Sequence, residues 1–244
     1  MFRFALVGAT TFAGCERRTT THSPTLKRLV DAIDADDVDA VRNALLAKPE
    51  LEPQCGPYEI CKPLALAAGR GNLEIIKLLV NAGADPNGKN AYGDTAFINA
   101  ENAMALTGKT NEDVRTIRKY LIEHGTDVNQ TNAFAMTPFM GLCASNDLEL
   151  VKLALKHGAD VNAAFNPTVK PNQPGPEPGG NTALILAASE GHEKIVVLLL
   201  ANGANVHHLN NRKKSALDVA TDAGHSNIVK ILVEAGAKTK SKER

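Results

Sequence analysis

The chain reads as an all-α solenoid, a stack of about six helix–turn–helix repeats. Three observations predict it. The segment KPLALAAGRGNLEIIKLLVNAGADPN, residues 62–87, returns five more times in altered form. Leu64 and Phe97 lie 33 residues apart, as do Leu184 and Leu217, so the copies keep a register. Hydrophobic content is 43% but aromatic content only 4%, with no Trp, which suits thin helices of Leu, Ile, Val and Ala. A unit this short cannot bury its own apolar face, so it must stack on its neighbours.

The units span residues 25–58, 59–91, 92–133, 134–178, 179–211 and 212–240. Each holds a small-residue helix, a turn, a Leu/Ile/Val-rich helix and a Gly-led loop. The first unit carries Lys27, Arg28, Asp31, Asp34, Asp36, Asp37 and Asp39, the polar face a terminal cap needs. In the second, Pro63 suits a first helical turn. Ala67-Ala68, like Ala187-Ala188 in the fifth, keeps the first helix thin. Leu78-Leu79 and Leu198-Leu199-Leu200 supply core between layers. Thr95, Thr137 and Thr182 stand where a hydroxyl can cap the helix that follows. Gly83, Gly125, Gly158, Gly203 and Gly236 are placed to end the second helices in a left-handed turn. The last unit leads into KTKSKER, whose final residues 241–244 form a basic tail.

Two intervals are longer. Phe97 to Phe139 is 42 residues, and Phe139 to Leu184 is 45. The first insertion, residues 104–113, is expected to lengthen the first helix and widen the turn, with Thr110 or Asn111 capping the next helix. The second, within 165–179, packs five prolines into NPTVKPNQPGPEPGG and predicts an extended or turn-rich loop. Either insertion can be a tolerated surface loop; the Pro-rich one can also shape the edge of a binding groove.

The repeated marks resemble the ankyrin repeat. The T-P-L mark stands as Lys62-Pro63-Leu64, Thr95-Ala96-Phe97, Thr137-Pro138-Phe139, Thr182-Ala183-Leu184 and Ser215-Ala216-Leu217. The G-A-D-V-N mark stands as Gly83-Ala84-Asp85-Pro86-Asn87, Gly125-Thr126-Asp127-Val128-Asn129, Gly158-Ala159-Asp160-Val161-Asn162, Gly203-Ala204-Asn205-Val206 and Gly236-Ala237. The resemblance covers residues 25–240 and implies β-hairpin-like fingers between helix pairs. It also implies a protein partner held by a concave surface of first-helix faces and finger tips. On that basis the binding candidates are Arg70 and Glu190 on first helices, and Tyr92, Asp94, Phe134, Met136, Arg212 and Lys214 on fingers. Aromatic residues and Arg are the usual interface anchors. Phe134 and Met136 have an alternative use, packing against a neighbouring finger.

The start, MFRFALVGATTFAGC, has one Arg, then an uncharged stretch ending in small residues before Cys15, the form of a secretory signal. Phe12-Ala13-Gly14-Cys15 resembles the bacterial lipobox, which implies lipidation of Cys15, with residues 16–24 as a polar tether. That places the protein in the bacterial cell envelope, periplasm-facing and membrane-bound through the lipid only; without processing it stays cytoplasmic. If exported, Cys55 and Cys61 form a disulfide or remain two free thiols. Cys143 falls on a small-residue position of the repeat and reads as a buried structural thiol.

Chemistry has little room. Lys plus Arg is 27 and Asp plus Glu is 27, so no basic excess points to nucleic acid. No phosphate loop, nucleophile elbow, H-E-x-x-H or spaced Cys/His set is present. His192 and His225 occupy repeat turns, and His124 and His157 precede helix-ending glycines. The adjacent pair His207-His208 would point opposite ways in an extended segment, so no metal is expected. The reading is a monomeric, non-catalytic binding scaffold without cofactor or metal. The alternatives are an inhibitor or protective factor for a periplasmic enzyme or toxin target, a role in peroxide defence that the resemblance to periplasmic ankyrin proteins implies, and a cytosolic or secreted effector if Cys15 is not processed.

Overall fold

A computed structural model describes residues 23–53, 62–91, 93–132, 136–165 and 179–238. Cys15, Cys55, Cys61, Tyr92, Phe134, the prolines of the second insertion and the tail from residue 239 lie outside the described residues. The chain divides into two compact units, Met1–Asp127 and Val128–Arg244.

In the first unit the helices are α1 (Pro24–Asp34), α2 (Val38–Leu45), α3 (Pro63–Arg70), α4 (Leu73–Asn81), α5 (Ala96–Asn99), α6 (Asn102–Thr107) and α7 (Asn111–Glu123). First helices α1, α3 and α5 pack side by side, and α2, α4 and α7 form a second row against them. Ala67 and Ala68 are fully buried, which lets α3 lie close to its neighbours. Ile75, Ile76 and Leu79 of α4 fill the space between the rows, each burial contributing about 1.5–3 kcal/mol.

The second unit repeats this plan with α8 (Pro138–Ala144), α9 (Leu148–Lys156), α10 (Ala183–Ser189), α11 (Glu193–Ala201), α12 (Ala216–Asp222) and α13 (Ser226–Glu234). Here α8, α10 and α12 form one row and α9, α11 and α13 the other. Between α9 and α10 a short antiparallel pair, β1 (Ala164–Phe165) with β2 (Asn181–Thr182), sets Ala164 opposite Thr182 and Phe165 opposite Asn181. The pair clamps the two ends of the Pro-rich insertion, and Phe165 is buried with Met140 and Leu186.

Helix ends follow their residues. Thr137 accepts from the Met140 amide at 3.1 Å, Thr182 from Ile185 at 3.4 Å, and Ser215 closes a capping box with Asp218. Thr95 departs from the expectation: its hydroxyl is buried, caps nothing and has no hydrogen-bond partner. The helix it precedes is a single turn, α5, after which the first insertion departs. That insertion does not lengthen a helix. It builds the separate helix α6, stops at Gly108 in a left-handed turn, and restarts α7 under a Thr110–Asp113 capping box. The Thr110 backbone amide and hydroxyl bond the Asp113 carboxylate and hold its pKa below the usual range.

The loop glycines behave as read. Gly83 has φ 94°, and the turn lets the Ala84 amide reach back to the Leu79 carbonyl at 3.0 Å. The same positive φ recurs at Gly125, Gly158, Gly203 and Gly236.

Two sets of side-chain bonds tie consecutive repeats within each unit. At the loop asparagine, Asn87 donates to Gly125 O at 2.9 Å and accepts from Asp127 N at 2.7 Å. Asn129 repeats this with Gly158 O and Asp160 N, and Asn162 with Gly203 O and Asn205 N. Each carboxamide thus satisfies a backbone acceptor and a donor of the next loop. The following register position holds His207, whose imidazole makes no hydrogen bond among the described residues, and the ladder stops there. The second set lies at the interhelix turns: Asn72 donates to Asp36 at 2.7 Å, while His192 Nε2 meets Ala144 O at 2.8 Å and His225 Nε2 meets Ser189 O at 3.1 Å. Gly191 is required beneath His225, since a Cβ there would lie 2.8 Å from the imidazole.

Candidate functional site

The exposed faces of the first helices and the fingers are free of repeat-to-repeat packing, as are the outer faces of second helices at Val197 and Val233. The fingers of the third, fourth and sixth repeats share one construction. Asn90 Oδ1 accepts from the Asp94 amide, Asn132 Oδ1 from Met136, and Asn210 Oδ1 from Lys214, all at 3.0 Å. In return the amide of each Asn donates to the carbonyl of that same residue. An asparagine side chain therefore closes each five-residue tip. Tyr92, Phe134 and Arg212 share the central register position of these tips, though only Arg212 is described, and it is exposed. Hairpin-like pairing occurs, among the described residues, at β1–β2 alone, because carboxamide bonds close the other tips instead of a ladder.

The remaining finger candidates are engaged to different degrees. Asp94 is half-buried, and burial pushes its carboxyl up to about 6. Met136 packs against the Met140, Phe165 and Leu186 cluster, so it supports the root of the Pro-rich insertion. Lys214 pairs with Asp222 at 2.5 Å. Glu190 is half-buried at the C-terminal cap of α10, its amide bonded to Leu186 O.

On the first-helix face of the first unit, Arg70 Nη2 meets Asp34 Oδ1 at 2.7 Å. Beside it opens a cleft of about 60 Å³ between α3, α5 and α6, lined by Ala65, Leu66, Arg70, Asn99, Asn102 and Leu106. Helix α6 forms one wall, fastened by Thr107 Oγ1, which donates to Ala103 O at 2.8 Å and lies 3.2 Å from Arg70 O. Behind α5, the Arg118 guanidinium sits 5.0 Å over the Phe97 ring and pairs with Glu101 at 3.1 Å. Asn99 is 2% exposed; its Oδ1 accepts from Asn102 Nδ2 at 3.1 Å, and its own Nδ2 has no partner.

Asn99, Asn102 and Leu106 were not anticipated as site residues. One signal was present: register places Asn99 where the second and fifth repeats carry Leu66 and Leu186. Leu106 had none, since the insertion belongs to no repeat pattern. The Cys143 thiol is fully buried, and burial raises its pKa, which disfavours the reactive thiolate. No group of three or more His, Cys, Asp or Glu among the described residues is arranged to hold a metal. No helix among them is long and apolar enough to cross a membrane.

Known proteins share this plan. A family model described as ankyrin repeats in three copies matches residues 104–208 and 163–243. Another, ankyrin repeats in many copies, matches residues 64–100. The chain is 29% identical over 227 residues to alpha-latrotoxin-Lg1a of Latrodectus geometricus, covering 83% of this chain and 15% of the toxin. It is 30% identical over 212 residues to the probable E3 ubiquitin-protein ligase XBOS33 of Oryza sativa subsp. japonica, covering 74% of this chain and 39% of that protein. It thus spans well under two thirds of either relative's length. The crystal structure of EF0377, an ankyrin repeat protein, superposes with a TM-score of 0.66 at 26% identity, covering 86% of this chain and 98% of that one. With more than half of the sequence matched by these models and the repeat geometry present in both units, the chain belongs to the ankyrin repeat family.

Proposed function

We propose that the protein is a non-catalytic scaffold that binds a protein partner through its first-helix faces and finger tips. The carrying observation is where the repeats of this one chain differ from each other. Behind the face, register positions hold the same small or aliphatic residues, as at Ala67, Ala100, Ala187 and Ala220, all fully buried. On the face, in the repeats without the first insertion, one register position reads Arg70, Ser145, Glu190 and Ala223, each partly or fully exposed. Packing dictates the first kind of position and leaves the second open, which is the pattern of a recognition surface on a rigid scaffold. Arg212→Glu and Leu106→Glu together, both at exposed sites, are expected to abolish capture of the partner recovered by the unmodified chain. Val197→Glu, on an exposed site of α11, is the control and should leave capture intact. Loss only in the control would overturn the assignment.

The same reading includes an envelope tether. Phe12-Ala13-Gly14-Cys15 supports lipid attachment at Cys15. Radiolabelled palmitate should enter the intact chain and not Cys15→Ala; incorporation into the variant refutes the tether.

A further inference from the structure

The cleft between α3, α5 and α6 has features that a tolerated insertion does not need. It is mostly apolar, walled by Ala65, Leu66 and the 44% exposed Leu106. Its polar equipment is biased toward donors. Asn99, 2% exposed, keeps an Nδ2 without a partner, and Arg70 is the one charged residue among those lining the cleft. Arg70 meets Asp34 through Nη2, and a guanidinium carries five N–H donors in a fork that can serve a second carboxylate. Lys109 lays its stem over Gly71 at the next turn, bringing a second cationic side chain to that edge.

We propose that this cleft is a subsite for a glutamate side chain presented by an acidic segment of the partner protein. The proposal rests on the scaffold reading above and names what one part of that surface recognises. The methylene stem lies against Leu66 and Leu106, while the carboxylate accepts from Arg70 and, once the Asn99 amide turns toward the cleft, from its Nδ2, which is closed to solvent in the unbound chain. A hydrocarbon side chain would seal the Asn99 donor away unpaired, and a lysine would set its charge against Arg70. A cleft of about 60 Å³ holds one side chain rather than a metabolite. Helix α6 is the device that creates it: among the described residues no other repeat adds a third helix beside its pair.

The test uses the full chain and blocked amino acids, N-acetyl-glutamate N-methylamide against its Gln, Leu and Lys counterparts. The readout is the side-chain amide of Asn99 and the methyl groups of Leu106 in NMR titrations. The Glu probe should shift both, saturably, with an affinity at least about fivefold above the other three, as expected for a charge-assisted bond. Asn99→Leu places at 99 the residue that Leu66 and Leu186 carry in the same register, so it keeps the fold. It should abolish the Glu preference without lowering the thermal midpoint. No shift at Asn99, equal response to Gln or Leu, or a Glu preference that survives Asn99→Leu would each overturn the subsite. If the subsite fails while Arg212→Glu still disrupts partner capture, the scaffold reading stands and only its occupant is wrong.

Discussion

Asn162→Ala removes one rung of the loop ladder and nothing else of consequence. The wild-type carboxamide donates to Gly203 O at 3.1 Å and accepts from Asn205 N at 2.8 Å. A hydrogen bond of this kind contributes about 0.5–1.5 kcal/mol net. Two of them give about 1–3 kcal/mol, and both lie at an exposed loop where water replaces the lost partner in part. We therefore expect a loss of about 1.5 kcal/mol, read as a lower urea midpoint with an unchanged slope. Asn162→Asp keeps the acceptor for Asn205 N but turns a donor toward Gly203 O into a second acceptor, so it should cost at least as much as Ala. Urea curves followed by far-ultraviolet circular dichroism measure all three proteins. An Asn162→Ala midpoint indistinguishable from wild type would refute the claim that the ladder couples consecutive repeats.

Four further outcomes follow from the same structure. His207→Asn restores the missing rung, with Gly236 O and Lys238 N as the register-equivalent partners, and should raise stability by about 1 kcal/mol in the same assay. Asp94 has its folded pKa raised by burial to about 6, so the folded state holds a proton that the unfolded chain has released. Stability thus falls as pH rises from the usual aspartate range to about 6 and stays lower above it; Asp94→Asn should gain about 1 kcal/mol at pH 7.5, after screening at a half-exposed site is allowed for, and nothing at pH 3.5. With Cys15, Cys55 and Cys61 replaced by Ser, the buried Cys143 should react with a thiol reagent only in denaturant; prompt native labelling would contradict its burial. Leu79→Ala, between the helix rows of the first unit, should cost about 2–5 kcal/mol by urea unfolding.

What could be read in advance was what repeats. Ala67-Ala68, Pro63 and Gly83 each sit where local sterics leave one solution, so residue type and spacing sufficed. The features that escaped depend on partners in another repeat or on broken register. Asn87, Asn129 and Asn162 were visible as letters of a loop mark, but their work is done on residues 29–43 positions away. The first insertion had no pattern to follow, and whether it would extend α5 or form α6 turned on Gly108 and the Thr110 cap. Thr95 carried the right residue type and still does not cap the one-turn helix after it. Met136 read equally as a contact or a packing residue; Phe165, brought over it by β1–β2 pairing, is what gives it a packing role. Of the site, the finger register was legible, while the α6 wall and the unpaired Asn99 amide were not.

The central claim is that a protein partner sits on first-helix faces and finger tips. A photo-crosslinking amino acid placed singly at Leu106, Arg212, Val197 and Val233, all exposed, tests it most directly. Irradiation with the native partner present should give a discrete crosslinked product from positions 106 and 212 and none from 197 and 233, which lie on second helices. Products confined to 197 and 233 would contradict the account.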